Sequence, residues 1–169
     1  ELEAAVGLLG ISGLEFLTFP DGELRNVPGL RSELVRRIRT FRPDVVLSHD
    51  PTAVFFGDTY VNHPDHRELG WAVLEAVSPG AASPRYYPHE GDPHRVNEVY
   101  LSGTLEPDSH VDVAAVLDKK VEALLQQQSQ LGDDRGWVDA SVRLRATQAG
   151  REAGLNAAEA FRTLRLFEN

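Results

Sequence analysis

Arg42-Pro43-Asp44-Val45-Val46-Leu47-Ser48-His49-Asp50 decides the fold class. Pro43 cannot sit inside a helix. Val45-Val46-Leu47 is a short unbroken apolar run bounded by polar residues, as expected of a strand buried in a parallel sheet. On its upstream side, Leu30, Leu34, Ile38 and Phe41 recur at helical spacing and predict a helix over 30–41, stopped by Pro43. On its downstream side, residues 50–62 read as a long loop containing Pro51 and Gly57. A second helix then starts at Pro64, with Leu69, Ala72, Val73, Ala76 and Val77 as its buried stripe and Pro79-Gly80 as its close.

Further out, Leu2, Ala5, Val6 and Leu9 predict a helix capped by Gly10. Leu14 to Phe19 reads as a strand ending in the turn Pro20-Asp21-Gly22. Residues 81–94 carry several Pro and Gly residues and read as irregular, and 96–101 as a strand. Val113, Val116, Leu117, Val121, Leu124 and Leu125 predict a helix whose polar face continues into Gln126-Gln127-Gln128. The tail from Ala157 to Leu166 reads as a further helix, with Ala160, Phe161 and Leu164 inward. Strands alternating with helices specify an α/β sheet with helices packed on its faces. No repeat or linker divides the chain, so residues 1–169 are expected to form a single domain.

Bulk composition narrows the chemistry. The 17 Lys and Arg residues against 26 Asp and Glu, a formal charge of -9, argue against a surface that tracks phosphates, and so against nucleic acid as partner. With no cysteine, thiolate metal sites and disulfides are excluded, and any metal must be held by His, Asp or Glu. No apolar run approaches the roughly 20 residues that span a bilayer, and no signal peptide is visible, so a cytoplasmic protein is expected. The chain also has no methionine and opens in what reads as the middle of a helix. A natural chain with further residues before Glu1 is the expectation.

Functional atoms in open α/β sheets gather at the carboxyl ends of strands. The central strand ends in His49-Asp50, and His63-Pro64-Asp65-His66 opens the helix after the loop. With Pro64 in the first helical position, His63 is the N-cap and His66 lies in the first turn. Residues three apart share a face, so both imidazoles can turn to one cavity. The helix N-terminus disfavours their protonation, which keeps an imidazole able to bind a metal. Asp65 sits where a carboxylate is favoured and is expected to fix a histidine tautomer. His89, His94 and His110 read as solvated or loop residues.

Together these stretches resemble the LmbE/PIG-L family of metal-dependent N-acetylglucosaminyl de-N-acetylases. The central block resembles Arg42 to Asp50, then His63-Pro64-Asp65-His66-Arg67, then Leu69-Gly70. Phe19-Pro20-Asp21-Gly22 is similar to an upstream turn of the family. Lys119-Lys120 through Gln128-Ser129-Gln130, and Ala158-Glu159-Ala160-Phe161-Arg162, are similar to its later segments.

The resemblance implies a Rossmann-like, mostly parallel sheet with helices on both faces. It also implies hydrolytic removal of an N-acetyl group from an amino-sugar-type substrate, with one divalent ion, zinc, as cofactor. Metal ligands are then a His and an Asp from an N-terminal His-Pro-Asp-Asp motif, with His66 as the third. His63 assists catalysis by stabilising or protonating the reacting group, and Asp65 supports it. His49, Asp50 and Arg25 are expected to touch substrate, and a homo-oligomer is implied.

The His-Pro-Asp-Asp run is absent from this sequence. Residues 1–169 alone are therefore expected to lack deacetylase activity, since one protein ligand is too few for a catalytic zinc site. The position two residues before His63, a tyrosine in some members, is Val61 here, with Tyr60 one place earlier. Two rivals remain: a non-catalytic sugar-binding or assembly module that retains the fold, and a metallohydrolase acting on other amides or esters.

Overall fold

The protein is described by a computed structural model covering residues 1–131 and 135–167. In chain order its elements are α1 (Leu2–Leu9), α2 (Pro28–Phe41), β1 (Val45–His49), β2 (Phe55–Phe56), β3 (Tyr60–Val61), α3 (Pro64–Glu75), β4 (Glu98–Ser102), β5 (Ser109–Asp112), α4 (Leu117–Leu124), α5 (Gln128–Leu131), α6 (Gly136–Ala153) and β6 (Ala158–Arg165). They fall into two compact units, Phe19–Ser109 with the segment from Phe161 onward, and Glu1–Thr18 with His110–Ala160.

The first of these units carries the site. Its β1 and β4 run parallel, with Val45 opposite Glu98 and His49 opposite Ser102. The later part of β6 pairs antiparallel with β4, Leu101 opposite Arg162. The α/β class is as expected, and the sheet is mixed. Val35 and Ile38 of α2, Val73 of α3, Ala76, Val77 and Ala81 beyond it, and Val96, Val99 and Leu101 at β4 form one apolar cluster. The predicted stripe is thus buried, Leu69 in part, but α3 itself ends at Glu75, short of the expected close at Pro79-Gly80, and Ala76 and Val77 lie beyond it. The β1 run is covered on one side only: Val45 is 49% and Leu47 65% exposed, while Ser48 is buried. Strand β1 lies at one end of the strand order, and the reading of full burial was too generous because the face that carries Val45 and Leu47 is exposed.

Helix α2 starts at Pro28, whose fixed φ suits a first helical position. Its stop is Arg42 rather than Pro43: Arg42 takes the left-handed conformation at φ 55, and its N–H donates to the Ile38 carbonyl at 2.8 Å. The loop after β1 is also more ordered than expected. Strands β2 and β3 make a small antiparallel hairpin around Gly57, which has φ 58.

The Pro- and Gly-rich segment after α3 has an organiser in Arg39, which is 4% exposed. Its guanidinium donates to the carbonyls of Gly80, Ala81, Ser83, Tyr86, Tyr87 and Gly91, at 2.7 to 3.3 Å. An irregular stretch without a ladder must place its carbonyls somewhere, and here several of them converge on one planar cation.

Two element assignments are corrected. Leu14 to Phe19 is not a strand: a strand is made by its hydrogen-bonded neighbour, and no strand among the described residues includes or pairs with it. The tail is a strand, β6, not a helix. Its apolar residues fit a helical spacing, but the buried residues of the tail are Ala157, Ala158, Phe161 and the polar Thr163, and pairing with β4 overrides the local pattern.

In the other unit α1 ends at Gly10 as predicted, in a left-handed conformation at φ 73. Helix α4 is preceded by a short 3₁₀ turn, Ala114–Val116. The polar face expected to run on into Gln126-Gln127-Gln128 breaks off at Leu124, and α5 starts afresh. Val113, Leu117, Ala146 and Ala157 share a small core with Val142. Lys120 pairs with Glu159, and Arg143 bridges Asp118 and Asp139 at 2.7 and 2.6 Å. The sequence reading had not singled out α6 or β5.

Candidate active site

Strand β1 delivers His49 to its carboxyl end, where register with Ser102 and the hydrogen bond from the Asp50 N–H to the Ser102 carbonyl (2.8 Å) hold the backbone. Asp50 itself turns inward and is 1% exposed. Its Oδ1 accepts from the Thr52 N–H at 2.8 Å and the Thr52 hydroxyl at 2.6 Å. Burial pushes its pKa up. Hydrogen bonds from Thr104 and Thr52 and the charge of Arg162 outweigh that and hold the carboxyl below its usual range. The carboxylate, expected beside substrate, braces the turn that leaves the strand.

The loop returns to α3 through Asn62. This buried side chain donates to the Ala53 carbonyl at 2.8 Å, and its N–H donates to the Val54 carbonyl at 2.8 Å. Next comes His63, the N-cap of α3, with Pro64 in the first turn as the sequence predicts. The His63 Nδ1 accepts the Asp65 N–H at 3.3 Å. That bond uses the Nδ1 lone pair, so Nε2 is the ring nitrogen that carries a proton. Asp21 Oδ1 lies 4.0 Å from that nitrogen.

Asp65 acts differently from expectation. Its backbone N–H, not its carboxylate, sets the His63 tautomer. Its Oδ2 accepts the Gly22 N–H at 2.7 Å, which ties the Pro20-Asp21-Gly22 turn to the helix start. Glu68 and Glu75 continue that seam by accepting from the Asn26 N–H at 2.7 Å and the Asn26 side chain at 2.9 Å. The other Asp65 oxygen, Oδ1, is buried and has no hydrogen-bond partner among the described residues.

His66 completes the cluster. Its ring centroid lies 5.3 Å from that of His63 and 4.0 Å from that of His49, and the His49 and His66 planes are 3° apart. Burial, followed by the repulsion of His63, lowers the His66 pKa against the opposing pull of Asp65 and Asp21. Burial and His66 likewise lower that of His49. Both rings are therefore neutral near pH 7.

Arg25 is exposed, and one of its guanidinium nitrogens donates to the neighbouring Leu24 carbonyl at 2.7 Å. His94, expected to be solvated, bonds through Nε2 to the Pro43 carbonyl at 2.7 Å. His110 lies on β5, 3.5 Å from Glu152. His89 is exposed. The sequence reading had not counted Asp21 as a site residue. The signal was there, in a Pro-Asp-Gly turn whose exposed carboxylate needs only one tether to reach the helix.

Among the described residues, Asp21, His63 and Asp65 offer potential ligating atoms within 4.8 Å of one another. The nitrogen and oxygen donors suit a divalent ion such as zinc. The unpartnered Asp65 Oδ1 adds to the fit, because a buried anionic oxygen without a donor is costly until a cation or proton donor arrives. Ligation by His63 Nε2 would move its proton to Nδ1, against the Asp65 N–H. His66, whose neutral ring carries no such conflict, stands beside this group rather than within it.

Gly70, one helical turn after His66, makes this cluster compact. A Cβ there would stand 2.6 Å from the His49 carbonyl oxygen and 2.9 Å from Pro51 Cδ. Alanine gains up to about 1 kcal/mol of helix propensity, yet the clash is with backbone and must push α3 off the strand end, at about 1–3 kcal/mol. Gly70→Ala should therefore lower the melting temperature by several degrees (about 2–4 °C per kcal/mol at this size). An unchanged or raised value would show that the close approach is unimportant.

Residues 1–77 match the PIG-L family, described as GlcNAc-PI de-N-acetylase. The chain is 32% identical to the diacetylchitobiose deacetylase of Thermococcus kodakarensis over 168 residues, covering 96% of this chain and 60% of that protein. It is 32% identical over 126 residues to a 1D-myo-inositol 2-acetamido-2-deoxy-alpha-D-glucopyranoside deacetylase of Saccharopolyspora erythraea, covering 61% of this chain and 43% of the other. A solved N,N'-diacetylchitobiose deacetylase from Pyrococcus horikoshii superposes with a TM-score of 0.85 at 26% identity, covering 96% of this chain and 61% of that one. The chain thus spans about three-fifths or less of the length of these relatives.

Proposed function

We propose, from the premise that this chain belongs to the PIG-L family, that it acts in a metal-dependent hydrolase that removes the N-acetyl group from an amino-sugar-type substrate. The carrying observation is the trio at the head of α3: a capped His63 whose Nε2 carries a proton, a neutral His66 beside it, and a carboxylate with an unpartnered oxygen. Similarity to deacetylases of N-acetylated sugars supports the substrate class.

His66 would hold the ion, zinc being the natural choice for its nitrogen donor. When bound, such an ion polarises an amide carbonyl and lowers the pKa of a water. The chain's own contribution is directional. His63, fixed as the Nε2–H tautomer, donates from Nε2 to the oxygen or nitrogen on which the reaction develops charge or takes a proton. Asp65 keeps the Asp21 turn against the helix and adds negative charge beside His66. The exposed Arg25 guanidinium and the edge of His49 are the groups offered to sugar oxygens.

No helix among the described residues is long and apolar enough to cross a membrane. We place the enzyme in the cytoplasm, as a homo-oligomer. The test is release of free amine from an N-acetylated amino sugar by the natural full-length chain. Turnover should vanish with a chelator and return with zinc. Turnover indifferent to both would overturn the metal-dependent reading.

A further inference from the structure

We propose that His49 is a positioning residue for His66, holding the ligand ring flat by face-to-face stacking. The proposal rests on the reading of His66 as a metal ligand. Three observations carry it. The two rings are parallel to within 3° with centroids 4.0 Å apart, which is close stacking rather than casual proximity. Each ring stands on a rigid element: His49 on the last residue of β1, in register with Ser102 and followed by the bonded N–H of Asp50, and His66 in the first turn of α3. Finally, the approach of those elements has its own device. Gly70 lies on the helix face of His66, and a Cβ there would meet the His49 carbonyl.

A histidine side chain rotates about two bonds, and a ligand must present one nitrogen in one direction. Metal-binding imidazoles are commonly oriented by a hydrogen bond from the second ring nitrogen. Here a flat neighbour restricts rotation of the His66 plane by contact. His49 thereby acts through shape, and any flat ring of similar size at that position should serve. The same surface gives the substrate side of the site a wall, since the stack closes off one face of His66.

The experiment uses the natural full-length chain and two variants, His49→Ala and His49→Phe, with His66→Ala as the control on the ligand reading. Zinc affinity is measured by competition with a chelating dye, and the His66 ring signals are recorded by NMR in metal-free protein. His49→Ala should bind zinc roughly 10- to 100-fold more weakly, the usual loss when a ligand's orienting partner is removed, and His49→Phe should recover most of that loss. Equal weakening in both variants would mean that His49 acts through its nitrogens. Wild-type affinity in both would mean that it does not act at all. Either outcome overturns the proposal. The ring signals are independent of the metal reading: a shielded His66 ring in the wild type and in His49→Phe, but not in His49→Ala, is expected, and unchanged signals across all three would show that the stack is absent. If wild type and His66→Ala bind zinc equally, the ligand reading fails and with it the proposed purpose of the stack, while the ring signals still report whether the stack exists.

Discussion

His63→Ala should leave zinc content nearly unchanged and lower kcat by roughly 10²- to 10⁴-fold, the range for loss of a general acid or oxyanion donor. His66→Ala should lose metal and activity together. The division follows from hydrogen bonds at the helix start. The Nδ1 of His63 is occupied by the Asp65 N–H, so its proton is held on Nε2 and the ring presents a donor. A ligand must present a lone pair, which the neutral His66 can do. KM should move less than kcat in His63→Ala, because the donated bond matters most in the transition state. Alanine also removes an N-cap, at about 0.5–2 kcal/mol of stability. His63→Asn keeps a cap acceptor and separates that loss from the catalytic one. Metal content and steady-state kinetics on all three variants decide the matter. If His63→Ala loses its metal as His66→Ala does, both histidines are ligands and the tautomer argument is wrong.

Arg39→Ala should be among the most destabilising single changes in the chain. One buried guanidinium serves the carbonyls of Gly80, Ala81, Ser83, Tyr86, Tyr87 and Gly91. Each hydrogen bond to a charged donor contributes about 1.5–3 kcal/mol, and a buried carbonyl left unpaired costs about 1–3 kcal/mol. Water can reach several of these carbonyls, so the losses do not add. A total of about 4 kcal/mol remains a fair expectation, against a typical stability of about 5–15 kcal/mol. Lysine offers three donors from a point instead of a planar fork, so Arg39→Lys should recover only a fraction. Urea midpoints would measure both, and limited proteolysis within 80–91 should accelerate in step. A loss below about 1 kcal/mol in Arg39→Ala would show that the segment orders itself without the cation.

Much of this was legible in the order of residues. The apolar run 45–47, the α2 and α3 stripes, and the N-cap position of His63 all follow from local spacing, because helix faces and caps are local events. The histidine cluster was legible too, since the strand end and the helix start bring it together. What stayed hidden depends on partners distant in sequence. The tail reads as a helix until β4 is there to pair with it. Leu14 to Phe19 reads as a strand although no strand among the described residues pairs with it. Arg39 sits in the last turn of α2, where a basic residue ordinarily needs no explanation beyond the helix dipole. Its true partners lie some 40 to 50 positions later. Asp50 was read as a pocket residue because it follows a strand tip, and that reading held no hint of the hydrogen bonds its carboxylate accepts from Thr52, two residues on.

The bare backbone of Gly70 bears on anyone who would transplant this chemistry. The tetrapeptide His63-Pro64-Asp65-His66 looks portable: it carries its own cap, its own helix start and its own fixed proton. Moved alone onto another strand–loop–helix scaffold, it would arrive with its second imidazole held away from the strand, because an ordinary side chain four positions on keeps the two elements apart. The unit that must travel is eight residues long, from His63 to Gly70, together with a flat ring at the end of the neighbouring strand. An absent methyl group is thus as much a part of the transferable motif as the histidines that define it.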